Sequence, residues 1–215
     1  MVSQQPARSA RTRPPVPATL WSAGPDPLDL TQPWPRPILV RALHEFSRLG
    51  DRVILLPLNT ATPGSGAAVM TVVEAGETDR ALTDLHAEIT DASTADLIVT
   101  DLARGHTDPA HLHATTEWAA TRLRAGGLLV VSALATHTRR GLLCDPTGAI
   151  VTAAQSADLL YLQHIITAPV DRDAITPALP AGSGPQRGVQ AHRIVHVDVL
   201  VFLQPSAQAA ERPSA

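Results

Sequence analysis

The sequence predicts an α/β protein built on a mostly parallel β-sheet that ends in an antiparallel pair. Three observations predict it. Short, continuous apolar runs have the length and β-branched content of strands buried on both faces: RVILLPL at 52–58, ADLIVTD at 95–101 and GGLLVVSAL at 126–134. Segments with apolar residues at helical spacing alternate with several of these runs. The last two strand-like runs, LLYLQHIIT at 159–167 and RIVHVDVLVFL at 193–203, follow one another with no helical pattern between them, so they are expected to pair antiparallel.

Taken in order, residues 1–19 are polar, Pro-rich and carry Arg8, Arg11 and Arg13, which reads as a disordered arm. Residues 21–37, with Trp21, Trp34 and five prolines, read as an extended, docked segment without regular structure. Ile38, Leu39, Ala42, Leu43, Phe46 and Leu49 then recur at helical spacing, and Gly50 is expected to cap that helix. The strand at 52–58 follows. LNTATPGSG (58–66) is a turn-rich link into a second strand, AAVMTVVEAGE, ending near Glu74.

A helix is expected from Thr78 to Ile89, with Leu82, Leu85 and Ile89 on one face. The strand at 95–101 leads to a helix from Pro109 to Arg124, whose N-cap is Asp108. A Gly-capped turn feeds the strand ending at Leu134. Cys144-Asp145-Pro146 is a turn, Thr147–Ala157 a short helix, and residues 177–191 a flexible loop before the last strand. Residues 20–204 thus read as a single domain, and 205–215 as a disordered tail.

Composition narrows the function classes. At 215 residues the chain suffices for one α/β domain with a real core, which aromatics at 3% leave to Leu, Val, Ile and Ala. All 17 basic residues are Arg, yet the net charge is −3, so the chain as a whole is no electrostatic glove for nucleic acid and only a local patch could serve. The single Cys144 permits no internal disulfide. Met1 to Leu20 lacks the apolar core of a secretory leader, and no apolar run approaches the ~20 residues of a membrane span. A cytoplasmic protein with no membrane partner is expected.

Four stretches carry a family resemblance: HEFSRLGDRVILLP, ATRLRAGGLLVVSA, THTRRGLLCDPTGAIVTAAQSADLLYLQHI and HRIVHVDVLVF. Together they resemble the DNA N4-cytosine/N6-adenine amino-methyltransferase family, within the class I S-adenosylmethionine-dependent methyltransferases. The resemblance covers residues 36–204 and is most specific from Leu123 to Phe202. There His196, Asp198, Val199, Leu200, Val201 and Phe202 are similar to the family's closing H-E-D-V-L-V-F pattern. It implies a Rossmann-like sheet with an antiparallel C-terminal hairpin, S-adenosylmethionine as cofactor and an amine acceptor.

Both chemical motifs of the family are altered. The first is D-P-x-x-G-x-G after the first family strand, where glycines let backbone amides approach the cofactor. In that register stand Leu56-Pro57-Leu58-Asn59-Thr60-Ala61-Thr62, and only Pro57 is kept. The second is [DNS]-P-P-[YFW], which hydrogen-bonds the exocyclic amine and stacks on a flipped base. Here it reads Asp101-Leu102-Ala103-Arg104, so the acceptor remains while the prolines and the ring are gone. The link at 58–66 is too short for the family's helix of ~11 residues, and Ile89 to Ala95 leaves no room for its third strand. The N-terminal, cofactor-binding half is cut down.

The resemblance then assigns Asp101 as the candidate catalytic acceptor and Pro57 and Glu74 as cofactor contacts, Glu74 at the position of an acid that holds ribose hydroxyls. It makes Arg139 and Arg140 candidates for phosphate contact. His106, Asp108, His111 and His113 are metal-capable, but two-residue spacing on a helix points His111 and His113 different ways, and no metal is expected. His164, His192 and His196 have no nucleophile motif beside them, and Cys144 has no basic cluster to activate it.

The favoured expectation is a degenerate, non-catalytic member that binds a partner protein or nucleic acid. Its rivals are an active methyltransferase using Glu74 and Asp101, and a metal-dependent hydrolase using the His106–His113 cluster. The loop from Thr60 to Gly66 discriminates the first two: an enzyme wraps its amides around a ligand there, a pseudoenzyme fills the space.

Overall fold

The computed structural model describes residues 19–26, 28–32, 34–58, 62–75, 79–84, 95–105, 107–172, 174–175 and 196–206. The arm at 1–18, the second half of the expected helix at 78–89, the loop at 177–191 and most of the tail at 205–215 lie outside them. So do Thr60, His106 and His192.

The elements in chain order are β1 (Leu20–Ser22), α1 (Arg36–Phe46), β2 (Arg52–Leu56), β3 (Ala68–Ala75), β4 (Asp79–Asp84), β5 (Ala95–Arg104), α2 (Pro109–Arg122), β6 (Leu123–Leu134), β7 (Thr136–His137), β8 (Leu143–Cys144), α3 (Thr147–Ser156), β9 (Leu160–Ala168), β10 (Val170–Asp171), β11 (Ala174–Ile175) and β12 (Val197–Leu203).

Eight strands make the main sheet in the order β1-β9-β12-β6-β5-β2-β3-β4. The pairings are parallel for β1–β9, β2–β5 and β5–β6 and antiparallel for the others, so six of the eight strands run one way and only β3 and β12 oppose them. This is an α/β protein of Rossmann-like build, a mostly parallel mixed sheet with β9 and β12 as its antiparallel C-terminal hairpin. The central strands of the sheet are covered on both faces. Ile38, Ala42 and Leu43 of α1 pack with Val53, Val99, Val130 and Val199 on one side. Leu112 and Ala119 of α2 and Ile150 and Ala154 of α3 pack with Ile54, Ile98, Leu129 and Phe202 on the other. The Thr116 hydroxyl ties α2 to α3 by donating to the Ala153 carbonyl at 3.1 Å.

Three expectations are corrected. Asp79–Asp84 is a strand, not the start of a helix: DRALTD pairs antiparallel with β3, Glu74 opposite Arg80 and Val72 opposite Leu82. Leu82 packs against the cluster that contains α1. Burial against a sheet edge overrode a spacing that a helix would also have satisfied. Leu20–Ser22, expected to be irregular, adds a parallel strand to β9, which buries Trp21 against Phe46 with ring centroids 5.8 Å apart. Helix α1 stops at Phe46 rather than at Gly50. Ser47 is extended, and its N–H and hydroxyl both donate to the Leu43 carbonyl, at 3.1 and 2.6 Å.

Strands β2 and β3 pair directly and antiparallel, as the short link between them requires. The helices at Pro109–Arg122 and Thr147–Ser156 lie where the spacing places them, and Asp108 caps α2 by accepting from the Ala110 N–H at 3.1 Å. No described helix is long and apolar enough to cross a membrane.

Candidate functional site at the carboxyl ends of β2, β5 and β6

In open α/β sheets ligands bind beyond the carboxyl ends of the parallel strands. Here β2 and β5 run side by side to Leu56 and Thr100, and the chain beyond them holds Pro57, Leu58 and Asp101. Their polar groups are turned on one another. The Leu58 N–H donates to Asp101 Oδ1 at 2.7 Å, and the Leu58 carbonyl is hydrogen-bonded by the His111 ring from the first turn of α2. Burial pushes the Asp101 carboxyl above its ordinary range, opposed by the Leu58 N–H and by the Arg104 charge.

The Asp101-Leu102-Ala103-Arg104 stretch does not leave the sheet as a loop. After an irregularity between Thr100 and Ala103, Ala103 pairs with Ala133 and Arg104 with Leu134. The next N–H, of Gly105, donates to the Leu134 carbonyl at 3.1 Å. Arg104 sends its guanidinium away to the Leu30 carbonyl. The ladder resumes at Ala103 and Arg104, and Asp101 and Leu102 fall at the irregularity, outside the paired register.

The described part of the discriminating loop, Thr62–Gly66, is folded on itself. The Ser65 and Ala67 N–H groups donate to the Thr62 and Gly64 carbonyls at 3.0 and 3.2 Å. Gly64, at φ 80°, lies so close to Trp118 that an added Cβ would fall 2.2 Å from the indole ring. The space beside the turn is thus occupied by a side chain of α2. Pro57 sits under this turn, 3.6 Å from where a Gly66 Cβ would be.

Glu74 stands apart from the other site residues. Because β3 runs against β2, with Leu55 opposite Ala68 and Arg52 opposite Thr71, Glu74 lies beyond the amino end of β2. Eight residues of register separate it from Pro57, roughly 27 Å at ~3.4 Å per residue. The structure brings Pro57 and Asp101 together and leaves Glu74, exposed opposite Arg80, at the other end of the sheet. The assignment of Glu74 and Pro57 to one bound molecule is corrected accordingly. A parallel β3 would have joined them, and the missing helix between β2 and β3 is why β3 returns antiparallel. The described residues at this end do not fit an adenosylmethionine cradle.

Arg139 and Arg140 are exposed in the turn between β7 and β8, a small hairpin that springs directly from the carboxyl end of β6. His111 is engaged with Leu58, His113 lies 3.3 Å from Glu117, and Asp108 caps α2. No group of three or more His, Cys, Asp or Glu side chains among the described residues converges as a metal site.

Sequence reasoning missed two features. His164 and His196 flank the buried Asp198 carboxylate across β9 and β12, at 2.8 and 3.6 Å; their strand positions were legible, the register that joins them was not. A cleft of about 620 Å³ opens between the Pro63 turn, Trp118 and Asp158. Its wall needs the 62–66 turn and the end of α3, which no local pattern brings together.

No family model and no curated protein matches the chain. Among solved structures, a candidate DNA modification methylase from Thermus thermophilus is similar at 15% identity and a TM-score of 0.37 over 57% of this chain and 49% of that one. The same protein complexed with S-adenosyl-L-methionine matches at 14% identity, a TM-score of 0.37, and 57% and 52% coverage. A SAM-dependent methyltransferase from Methanosarcina mazei matches at 7% identity, a TM-score of 0.31, and 53% and 61% coverage. The chain thus spans about half the length of the Thermus protein.

Proposed function

We propose that this chain is a methyltransferase-like protein that binds rather than methylates, acting on nucleic acid or on a partner protein through the carboxyl end of its sheet. The observation that carries the reading is the loop after β2. The Ser65 and Ala67 amides are bonded within their own turn, and Trp118 fills the space beside Gly64. Two threonines, Thr60 and Thr62, occupy the positions where glycines would admit a cofactor. Asp101 accepts from the Leu58 N–H, and the strand that bears it resumes its pairing at Ala103. Within this reading Arg139 and Arg140 are the phosphate contacts.

Calorimetric titration with S-adenosylmethionine and S-adenosylhomocysteine tests it. The expected result is no heat and no thermal stabilisation at millimolar ligand. Binding tighter than ~100 μM, about 5.5 kcal/mol, that weakens on Asp101→Ala would overturn it.

One observation favours the rival, an active methyltransferase with a divergent cofactor site. Asp101 is half-buried with its carboxyl raised, a state common among catalytic groups. In that case Asp101 accepts from the acceptor amine, and methyl transfer to a nucleic-acid or other amine substrate is lost in Asp101→Ala.

A further inference from the structure

Residues in a tight turn at a hairpin tip are ordinarily small or polar. The β7–β8 hairpin breaks that expectation: Leu142 and Leu143 are 65% and 56% exposed, next to the exposed Arg139 and Arg140. The tip is held rigidly. The Thr138 N–H donates to the Leu142 carbonyl at 2.9 Å, the Leu142 N–H to the Thr138 hydroxyl at 3.1 Å, and the Gly141 N–H to the Thr138 carbonyl at 2.9 Å. Gly141 supplies the φ of 78° that this turn requires. The base of the hairpin is fixed too, with Cys144 buried opposite Thr136, and Thr136 packed on Gly105 at the end of β5.

We propose that this hairpin inserts into duplex DNA, Arg139 and Arg140 holding phosphates while Leu142 wedges between base steps. The inference rests on the nucleic-acid reading above and deepens it. Minor-groove proteins combine cationic side chains with apolar wedges in this way, and one rigid leucine suffices to unstack a step. A lipid surface is the poorer fit, because stable membrane anchoring takes more apolar area than two leucines supply. The hairpin projects from the carboxyl end of β6, so inserted DNA would lie across the sheet end that carries Asp101.

The test uses the full chain and a duplex of about 20 base pairs carrying 2-aminopurine, titrated from about 50 to 200 mM salt. The parent protein is expected to bind with a rise in 2-aminopurine fluorescence. Leu142→Asn with Leu143→Asn should bind ~10-fold more weakly and lose that rise, while the salt slope is unchanged. Arg139→Gln with Arg140→Gln should lower the slope by about 1.8. Circular dichroism should show both pairs folded, since all four side chains are exposed. If the leucine pair binds and unstacks like the parent, the wedge is wrong and the nucleic-acid reading stands. If the parent does not bind the duplex at about 50 mM salt, the wedge and the nucleic-acid reading both fall. Capture by anionic vesicles through the same leucines, without any 2-aminopurine signal, would overturn the proposal in favour of a membrane surface.

Discussion

The two flanks of the sheet are built differently. On the β6–β12–β9 flank, β12 is a central strand with six of its seven residues buried, clamped by antiparallel neighbours on both sides. On the β2–β3–β4 flank, β4 forms the sheet edge, and of its described side chains only Leu82 joins a core cluster, as a partly buried member. A strand buried on both faces derives its stability from its own apolar side chains. An edge hairpin depends on what the rest of the molecule brings to it.

The sharpest way to break this comparison is to empty each flank in turn. Phe202 is fully buried and its ring lies 5.4 Å from that of Tyr161. Phe202→Ala should cost about 3–5 kcal/mol. Leu82→Ala, on the half-covered strand, should cost under about 2 kcal/mol by the same reasoning. Urea titrations of the two variants check the order. Equal losses would mean that the β3–β4 hairpin is as deeply embedded as the C-terminal strands.

The same asymmetry explains what was legible in the sequence. VDVLVFL and ADLIVTD read as strands because burial on both faces demands unbroken apolar runs, which helices of that length do not show. DRALTD did not, because a half-exposed strand of six residues holds too few apolar positions to separate a period of 2 from one of 3.6. Leu20–Ser22 was hidden for a related reason: a three-residue strand is defined by its partner, β9, not by its own pattern. At the candidate site, Pro57 was legible as a strand end, whereas the strand expected to stop at Asp101 continues to Arg104. The displacement of Glu74 was not legible, because strand direction is a tertiary property.

Arg80 sharpens the point about β4, and its expected effect is intermediate. Its guanidinium caps α1, donating to the carbonyls of Leu43 at 2.9 Å and His44 at 3.1 Å, and to that of Ser47. The Leu43 carbonyl also accepts from Ser47, whereas those of His44 and Ser47 lie where a helix end leaves carbonyls without intrahelical donors. All three contacts come from one nitrogen, Nη1, so Arg80→Ala should cost about 1–2 kcal/mol and Arg80→Lys, whose ammonium also carries several donors, should recover part of it. Thermal denaturation gives the size of the loss, and faster hydrogen exchange at the Ser47 N–H would place it at the helix end. A neutral Arg80→Ala would mean that β4 is an ornament on the edge and not a brace for α1.

The smallest effect concerns the strand ends themselves, and its sign is the informative part. Asp101 is raised above 3.8 chiefly by burial, so the unfolded chain gives up this proton at a lower pH than the folded one. The ionised carboxylate therefore costs the fold nothing below about pH 3.8, and its full penalty once pH has passed the folded pKa. Asp101→Asn keeps an oxygen for the Leu58 N–H and carries no charge, so it should match the parent in acid and exceed it at neutral pH. Asp101→Ala should be the less stable protein throughout, because it leaves the Leu58 N–H unpaired at a cost of about 1–2 kcal/mol. Melting temperatures of the three proteins across this pH range separate a strand-tying carboxyl from a catalytic one. A residue kept to hold β5 against β2 tolerates the amide. One kept to take a proton or an amine hydrogen bond loses its activity in Asp101→Asn whatever the melting temperature does.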